Sequence, residues 1–93
     1  MKIRYYTDPV TGQPHIYNHG VTEGEVEEIL TNPGEDRPGA EGSRIALGKT
    51  SGGRYLRVIY VHDDEPGSIF LITAYNLTGK PLKAFLRRRR LKK

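Results

Sequence analysis

The most apolar run of the chain, Ser68–Tyr75 (SIFLITAY), constrains the fold more than any other segment. It is apolar at both alternating positions, and a strand with two apolar faces belongs inside a sheet. The preceding run, Tyr55–His62 (YLRVIYVH), is rich in the β-branched and aromatic residues that favour strands. Only the short loop Asp63–Gly67 separates the two runs, which predicts an antiparallel hairpin. We therefore expect a sheet in which Ser68–Tyr75 is central.

A capping box marks the start of a helix. Thr22 and Glu25 have the spacing at which each side chain satisfies a free backbone N–H of the other. An apolar stripe at helical spacing follows, and Asn32-Pro33-Gly34 ends it. The pattern predicts a helix over Thr22–Thr31. Because this helix is short, we expect it to pack against the sheet.

The remaining segments complete a single α+β domain over residues 1–93. Lys2–Thr7 and Arg44–Lys49 read as strands, and His15–Asn18 as a short strand or a helical turn. Asn32–Ser43 is rich in glycine, proline and acid, which predicts a loop. We expect a small antiparallel sheet of about four strands, with the helices on one face.

Charge is distributed very unevenly along the chain. Residues 1–65 carry 7 lysines and arginines against 11 acidic residues, whereas residues 66–93 carry 8 basic residues and no acid. The basic terminal segment 80–93 reads as a helix that begins near Thr78 or Gly79. Such asymmetry is typical of a chain that meets a polyanion, although a solvated tail explains it too. The candidate nucleic-acid-binding residues are Lys49, Lys83, Arg87, Arg88, Arg89 and Arg90.

Several classes of function are excluded or disfavoured. The chain has no cysteine, which rules out disulfides, thiolate metal sites and a cysteine nucleophile. His15 and His19 have the spacing of metal ligands on a helix, but Pro14 and Gly20 oppose a helix there and the only further histidine is the distant His62. We expect no metal and no cofactor. Without an apolar run of about 20 residues or a signal peptide, we expect a cytoplasmic protein that does not enter a membrane.

Three stretches of the chain occur in a familiar order. They are Asn18–Thr22 (NHGVT) before the acidic helix, Arg44–Tyr60 (RIALGKT and GRYLRVIY around a glycine turn), and Ile72–Tyr75 (ITAY) before the basic end. In order and spacing they resemble the BrnT-like toxins of the RelE-type ribonuclease superfamily. The resemblance implies a RelE-like fold, a metal-independent endoribonuclease that stalls translation, and a small antitoxin protein as partner.

The chain also departs from that family at functional positions. BrnT-like toxins usually carry a basic residue before the His-Gly pair, where this chain has Asn18. Their last strand usually carries arginines, and Phe70–Tyr75 has none. Three alternatives remain: Arg44, Arg57 and the terminal arginines supply the positive charge, the activity has been lost, or the chain belongs to a neighbouring branch of the superfamily.

The residues themselves suggest how RNA would be cleaved. Attack by the ribose 2′-OH requires a base, an acid and cations that stabilise the phosphorane. His19 is the candidate for proton transfer, Arg44 and Arg57 for phosphate binding, and Tyr75 for contact with an unpaired base. We expect these four side chains around one open face of the sheet. Alternatively, His19 only shapes its turn, and Arg57 pairs with an acid such as Glu35 or Glu41.

The sequence thus supports hypotheses from three classes. The first is the toxin of a toxin–antitoxin pair, an endoribonuclease that acts on mRNA, either free or on the ribosome. The second is a nucleic-acid-binding domain without catalysis that uses its basic C-terminal segment. The third is an interaction domain whose basic helix docks on an acidic protein.

Overall fold

Five strands form one mixed sheet in the computed structural model, which describes residues 2–91. The strands are β1 (Lys2–Tyr5), β2 (Glu35–Pro38), β3 (Arg44–Lys49), β4 (Tyr55–His62) and β5 (Ser68–Asn76). The helices are α1 (Glu23–Thr31) and α2 (Gly79–Leu91), with short 3₁₀ helices at His15–His19 and Ala40–Gly42. Lys92 and Lys93, predicted as the end of the basic helix, lie outside the described residues. None of the helices within residues 2–91 is long and apolar enough to cross a membrane.

The β3–β4–β5 meander agrees with the prediction from sequence. All its pairings are antiparallel, and β5 lies inside the sheet between β1 and β4. The register shifts between Ile59 and Tyr60, where Ile59 faces Thr73 but Tyr60 faces Leu71. Ile72 is therefore an extra residue in β5, and such a bulge changes which face the residues beyond it occupy.

Two features of the sheet differ from the prediction. The segment Asn32–Ser43 was predicted as a loop, but it contains the fifth strand, β2, which pairs antiparallel with β3 at the edge of the sheet. Its sequence, EDRP, has little strand propensity, so the backbone pairing with β3 decides its conformation. In addition, β1 pairs parallel with β5. The hairpin rule applies only to strands joined by short loops, and most of the domain separates β1 from β5.

Helix α1 forms as its capping box predicts. The Thr22 hydroxyl accepts a hydrogen bond from the Glu25 N–H at 3.1 Å, and the Glu25 carboxylate accepts one from the Thr22 N–H at 3.0 Å. Val26 and Ile29 are buried against the sheet, in the cluster that holds Ala46, Leu56 and Val58. Ile16 of the 3₁₀ helix His15–His19 joins the same cluster, which settles the alternative left open for that segment in favour of a helical turn.

Helix α2 covers the other face of the sheet, contrary to the expectation that both helices share one face. Phe85 packs with Leu47 and Tyr55, whereas the neighbouring residues Ala46 and Leu56 pack under α1. Successive strand residues point to opposite faces, so the two helices lie on opposite sides. We call these sides the α1 face and the α2 face. The two apolar faces of β5 agree with cover on both sides.

Phe85 is the main apolar contact of α2 with the sheet. Its ring is 3% exposed and lies so close to Gly34 that a Cβ atom there would be 2.8 Å from it. Because the cluster around Phe85 is small, we expect Phe85→Ala to lower the free energy of unfolding by about 3 kcal/mol. Leu86→Ala, at a neighbouring residue that is 37% exposed, should lower it by less than about 1 kcal/mol. Urea unfolding followed by circular dichroism measures both values, and equal losses would contradict this assignment.

Candidate functional site

His19 lies where the edge of β5 is left uncovered by β1. Strand β1 pairs only with Ser68–Leu71, and the 3₁₀ helix His15–His19 packs along β5. The exposed His19 ring consequently meets Tyr75 near the end of β5. The ring centroids are 5.8 Å apart in an edge-to-face arrangement. The structure therefore brings two of the predicted site residues into contact.

Arg54 fixes the backbone at His19. Its Nη1 donates to the Gly20 carbonyl at 2.7 Å and to the Glu25 carboxylate at 3.0 Å, and its Nη2 donates to the His19 carbonyl at 3.3 Å. Its Nε donates to the Asn76 side chain at 2.7 Å. The backbone N–H of Thr22, and then Arg54, hold the pKa of Glu25 below its usual range. Arg54 was not predicted as a site residue, and its sequence context shows only that it follows a glycine turn.

Arg57 faces the same site from β4. It lies directly opposite Tyr75 in the antiparallel register, so the two side chains share the α2 face. The Nε of Arg57 and the hydroxyl of Thr73, two residues from Tyr75 on that face, are buried without a hydrogen-bond partner. Buried polar atoms are normally satisfied, so these two atoms are exceptions, and both lie next to the Arg57–Tyr75 pair.

A shallow cavity of about 130 Å³ opens beside Arg57, and we call it the Arg57 cleft. Its wall also includes the first turn of α2. The lining residues are Arg57, Tyr75, Asn76, Leu77, Thr78 and Pro81. Lys49 is on the same face of the sheet, but its Nζ lies 5.5 Å above the Tyr55 ring and it lines a different cavity, together with Arg89. The structure therefore gathers His19, Tyr75 and Arg57, and leaves Lys49 outside this group.

Arg44 does not belong to this group, contrary to the expectation. It is two residues from Ala46, so it projects from the α1 face, and its register partner is Tyr60. Its Nε donates to the Asp36 carboxylate at 2.9 Å. Leu47, which pairs with Arg57, is three residues or about 10 Å further along β3. The alternation of strand residues thus separates the two arginines that the prediction placed together.

The terminal arginines divide into two sets. Arg88 forms a two-pronged ion pair with Glu35, with distances of 2.6 and 2.9 Å, and Arg89 donates to the Gly34 carbonyl at 3.1 Å. These two arginines, predicted to bind nucleic acid, fasten α2 to β2 and the preceding turn.

Lys83, Arg87 and Arg90 are exposed. With the exposed Lys80, their spacing of three, four and three residues puts them on one side of α2. We call these four residues the basic stripe.

The histidines do not converge as a metal site would require. The rings of His15 and His19 are 5.2 Å apart, but His62 contacts Tyr60 at the far end of β4. Across residues 2–91 no group of three or more histidine, cysteine, aspartate or glutamate side chains is placed to hold a metal ion.

Fold and site together define a small α+β domain in which a helical turn places an imidazole beside a tyrosine–arginine pair on a mixed sheet. The chain belongs to the family described as Domain of unknown function (DUF4258), which matches residues 15–76. The matched segment runs from the 3₁₀ helix to the end of β5. It therefore contains His19, Arg57 and Tyr75, and leaves out α2 with its basic stripe. Comparison with curated proteins and with solved structures gave no match.

The Asp36 carboxylate that binds Arg44 also accepts a hydrogen bond from the Tyr60 hydroxyl. Burial, and then this hydrogen bond, raise the pKa of Tyr60 to about 12. In the unfolded chain the phenol titrates near pH ~10. Because the folded value is the higher one, the stabilisation is complete below pH ~10 and is lost as the pH rises toward 12.

We therefore expect Tyr60→Phe to change the alkaline stability profile. Between pH 10 and 12 the free energy of unfolding of the wild-type protein should fall by between about 2 and 3 kcal/mol because of this group. The variant should lack that part of the fall. At neutral pH the variant should lose about 1 kcal/mol with its hydrogen bond. Burial raises the pKa of Tyr5 to about 12 as well. The variant should therefore still lose stability at alkaline pH through Tyr5. Guanidinium unfolding at a series of pH values tests this, and identical slopes in the two proteins would contradict it.

Proposed function

We propose that this domain is a metal-independent endoribonuclease of the toxin type, in which His19 transfers the proton of the ribose 2′-OH. One observation carries the proposal. The His19 ring contacts Tyr75, and Tyr75 faces Arg57, whose buried Nε has no hydrogen-bond partner. These three side chains supply the base, the acid and the cation that metal-free RNA cleavage requires.

The proposed reaction uses these three side chains as follows. His19 takes the proton of the 2′-OH while the 2′-oxygen attacks phosphorus, and the bond from phosphorus to the 5′-oxygen breaks. Arg57 binds the phosphoryl oxygens and stabilises the charge that develops on them. The Tyr75 hydroxyl gives a proton to the leaving 5′-oxygen. The products are a 2′,3′-cyclic phosphate and a 5′-hydroxyl.

The resemblance to BrnT-like toxins extends this proposal to partners. It supports mRNA as the substrate, free or on the ribosome, and a small antitoxin protein that neutralises the domain in the cytoplasm. The strand arginines of that family have no counterpart in β5, so Arg57 is the guanidinium that the proposal assigns to the phosphate. Arg44 has no part in the reaction, because it projects from the α1 face and binds Asp36.

Cleavage of ribosome-free and ribosome-bound mRNA tests the proposal directly. We expect His19→Ala and Arg57→Ala each to slow cleavage by at least about a hundredfold, because each removes a group that stabilises the transition state. His62→Ala and Arg44→Ala are the matched controls and should retain activity. Chelation with EDTA should have no effect, and an all-2′-deoxy substrate should stay intact.

The products identify the chemistry independently of rate. Mass spectrometry should find the cyclic phosphate end on the upstream fragment. Intact RNA with the wild-type protein in both preparations, or equal rates for His19→Ala and the wild-type protein, would refute the proposal.

A second candidate function, binding of nucleic acid without cleavage, is favoured by the basic stripe. Its four cations are exposed on one side of α2, and residues 66–93 contain no acid that could neutralise them. A stripe of this kind attracts phosphates irrespective of their sequence. It lies outside the segment that matches the family, so it can serve with or without the chemistry at His19.

The salt dependence of binding measures the contribution of the stripe. Single-stranded RNA binding should weaken with salt, and the double variant Lys83→Ala/Arg87→Ala should reduce the slope of log K against log salt concentration by about 1.4. Arg37→Ala, at an exposed arginine of β2, should leave the slope unchanged. Fluorescence anisotropy titrations between low and physiological salt give these slopes. An unaltered slope in the double variant would show that the stripe does not contact phosphates.

A further inference from the structure

Four aromatic rings follow one another along the edge of the sheet, and we call them the aromatic row. Tyr6 and His15 have centroids 5.8 Å apart, His15 and His19 5.2 Å, and His19 and Tyr75 5.8 Å. The row ends at the residue that faces Arg57. We infer that the aromatic row is a stacking track for unpaired nucleotides and leads a single strand to the Arg57 cleft. This inference rests on the proposed function and names the form of its substrate.

The fold holds both ends of the row in place. The Tyr6 N–H donates to the Leu71 carbonyl at 2.9 Å, and the His15 N–H donates to the Tyr6 carbonyl at 2.9 Å. These bonds attach Tyr6 and the start of the 3₁₀ helix to β5. At the other end, Tyr75 belongs to β5 and pairs with Arg57 of β4, and Arg54 binds the carbonyl of the neighbouring ring residue His19. Because the backbone that carries the rings is already fixed, ordering it costs little when a ligand binds.

Packing of the interior does not account for the row. Neither apolar core cluster among residues 2–91 includes any of its four rings. The neighbouring residue Ile16 provides the contact of this helical turn with the core. Tyr6 is 44% exposed, and His19 is exposed too. Four rings that contact one another outside the core, with two of them exposed and two half-buried, form a surface suited to planar ligands.

Unpaired bases are the planar ligands that fit the rest of the site. A base stacks on an aromatic face whatever its sequence, and a paired base in a duplex has no free face to offer. The cation that a phosphate requires lies at the Tyr75 end, at Arg57. At the other end, the Asp8 carboxylate accepts hydrogen bonds from the Asn18 amide at 2.6 Å and from the Val10 N–H at 2.7 Å. Its carboxylate is thus held by the protein beside the row.

Tyr6 allows a test that does not touch the proposed catalytic residues. The probe is a fluorescent all-2′-deoxy hexanucleotide, which cannot be cleaved by 2′-OH attack, and its binding is measured by anisotropy at low salt. We expect Tyr6→Ala to weaken binding about tenfold and Tyr6→Phe to leave it unchanged, because the ring face provides the contact. Tyr17→Ala is the matched control, since Tyr17 is also 44% exposed but donates its hydroxyl to Glu23 outside the row.

The possible outcomes separate this inference from the proposed function. Equal affinities for Tyr6→Ala and Tyr17→Ala, or a blunt duplex bound as tightly as the single strand, would overturn the stacking track even if the wild-type protein cleaves RNA. A tenfold loss confined to Tyr6→Ala, in a protein that cleaves no RNA, would support the track and overturn the nuclease. Thermal melts monitored by circular dichroism establish that each variant is folded, and binding restored in Tyr6→Phe assigns the loss to the ring.

Discussion

The guanidinium of Arg54 is the contact on which the site depends. It joins the carbonyls that end the 3₁₀ helix, the carboxylate of the α1 capping box and the amide of Asn76 at the end of β5. A planar group with five donors can satisfy several acceptors at once, which a lysine could not do in this geometry. The position of His19 is thus set by the same residue that couples α1 to the sheet. Gly20 adds to this constraint, because its φ of 69° turns the chain sharply between the two helical segments.

The attachment of α2 explains why a run of four arginines is not a uniform charged surface. On a helix, successive residues are 100° apart, so the run must face several directions. Arg88 and Arg89 face β2, where Glu35 and the Gly34 carbonyl accept their hydrogen bonds. Arg87 and Arg90 face outward and continue the line of lysines. The same short segment therefore holds the helix in place and presents positive charge to solvent.

The sequence predicted the elements whose signals are local. The capping box, the apolar stripe of α1 and the strand-forming runs of β3, β4 and β5 appear as expected. It did not predict β2, because EDRP forms a strand only through its pairing with β3. Nor did it predict the parallel pairing of β1, which depends on a partner more than sixty residues away. Loop composition and hairpin length carry no information on such pairings.

The arrangement of the candidate site residues was predictable only in part. His19, Tyr75 and Arg57 were chosen by residue type and lie together, whereas Arg44 was chosen on the same grounds and lies on the other face. Which of two strand residues faces a site depends on register, and the bulge at Ile72 shifts that register within β5. Arg54 was overlooked because two of its four acceptors are backbone carbonyls, which leave no trace in the sequence, and the other two are distant along the chain.

Placing the two helices on opposite faces also separates charge across the thickness of the domain. Helix α1 contains four glutamates and no basic residue, while α2 contains six basic residues and no acid. The charges of these two helices therefore contribute an electric dipole moment that runs through the sheet from one helix to the other. In the field of a polyanion the domain would experience a torque that turns α2 forward before contact, so that encounters begin in one preferred orientation. Added salt would weaken that alignment.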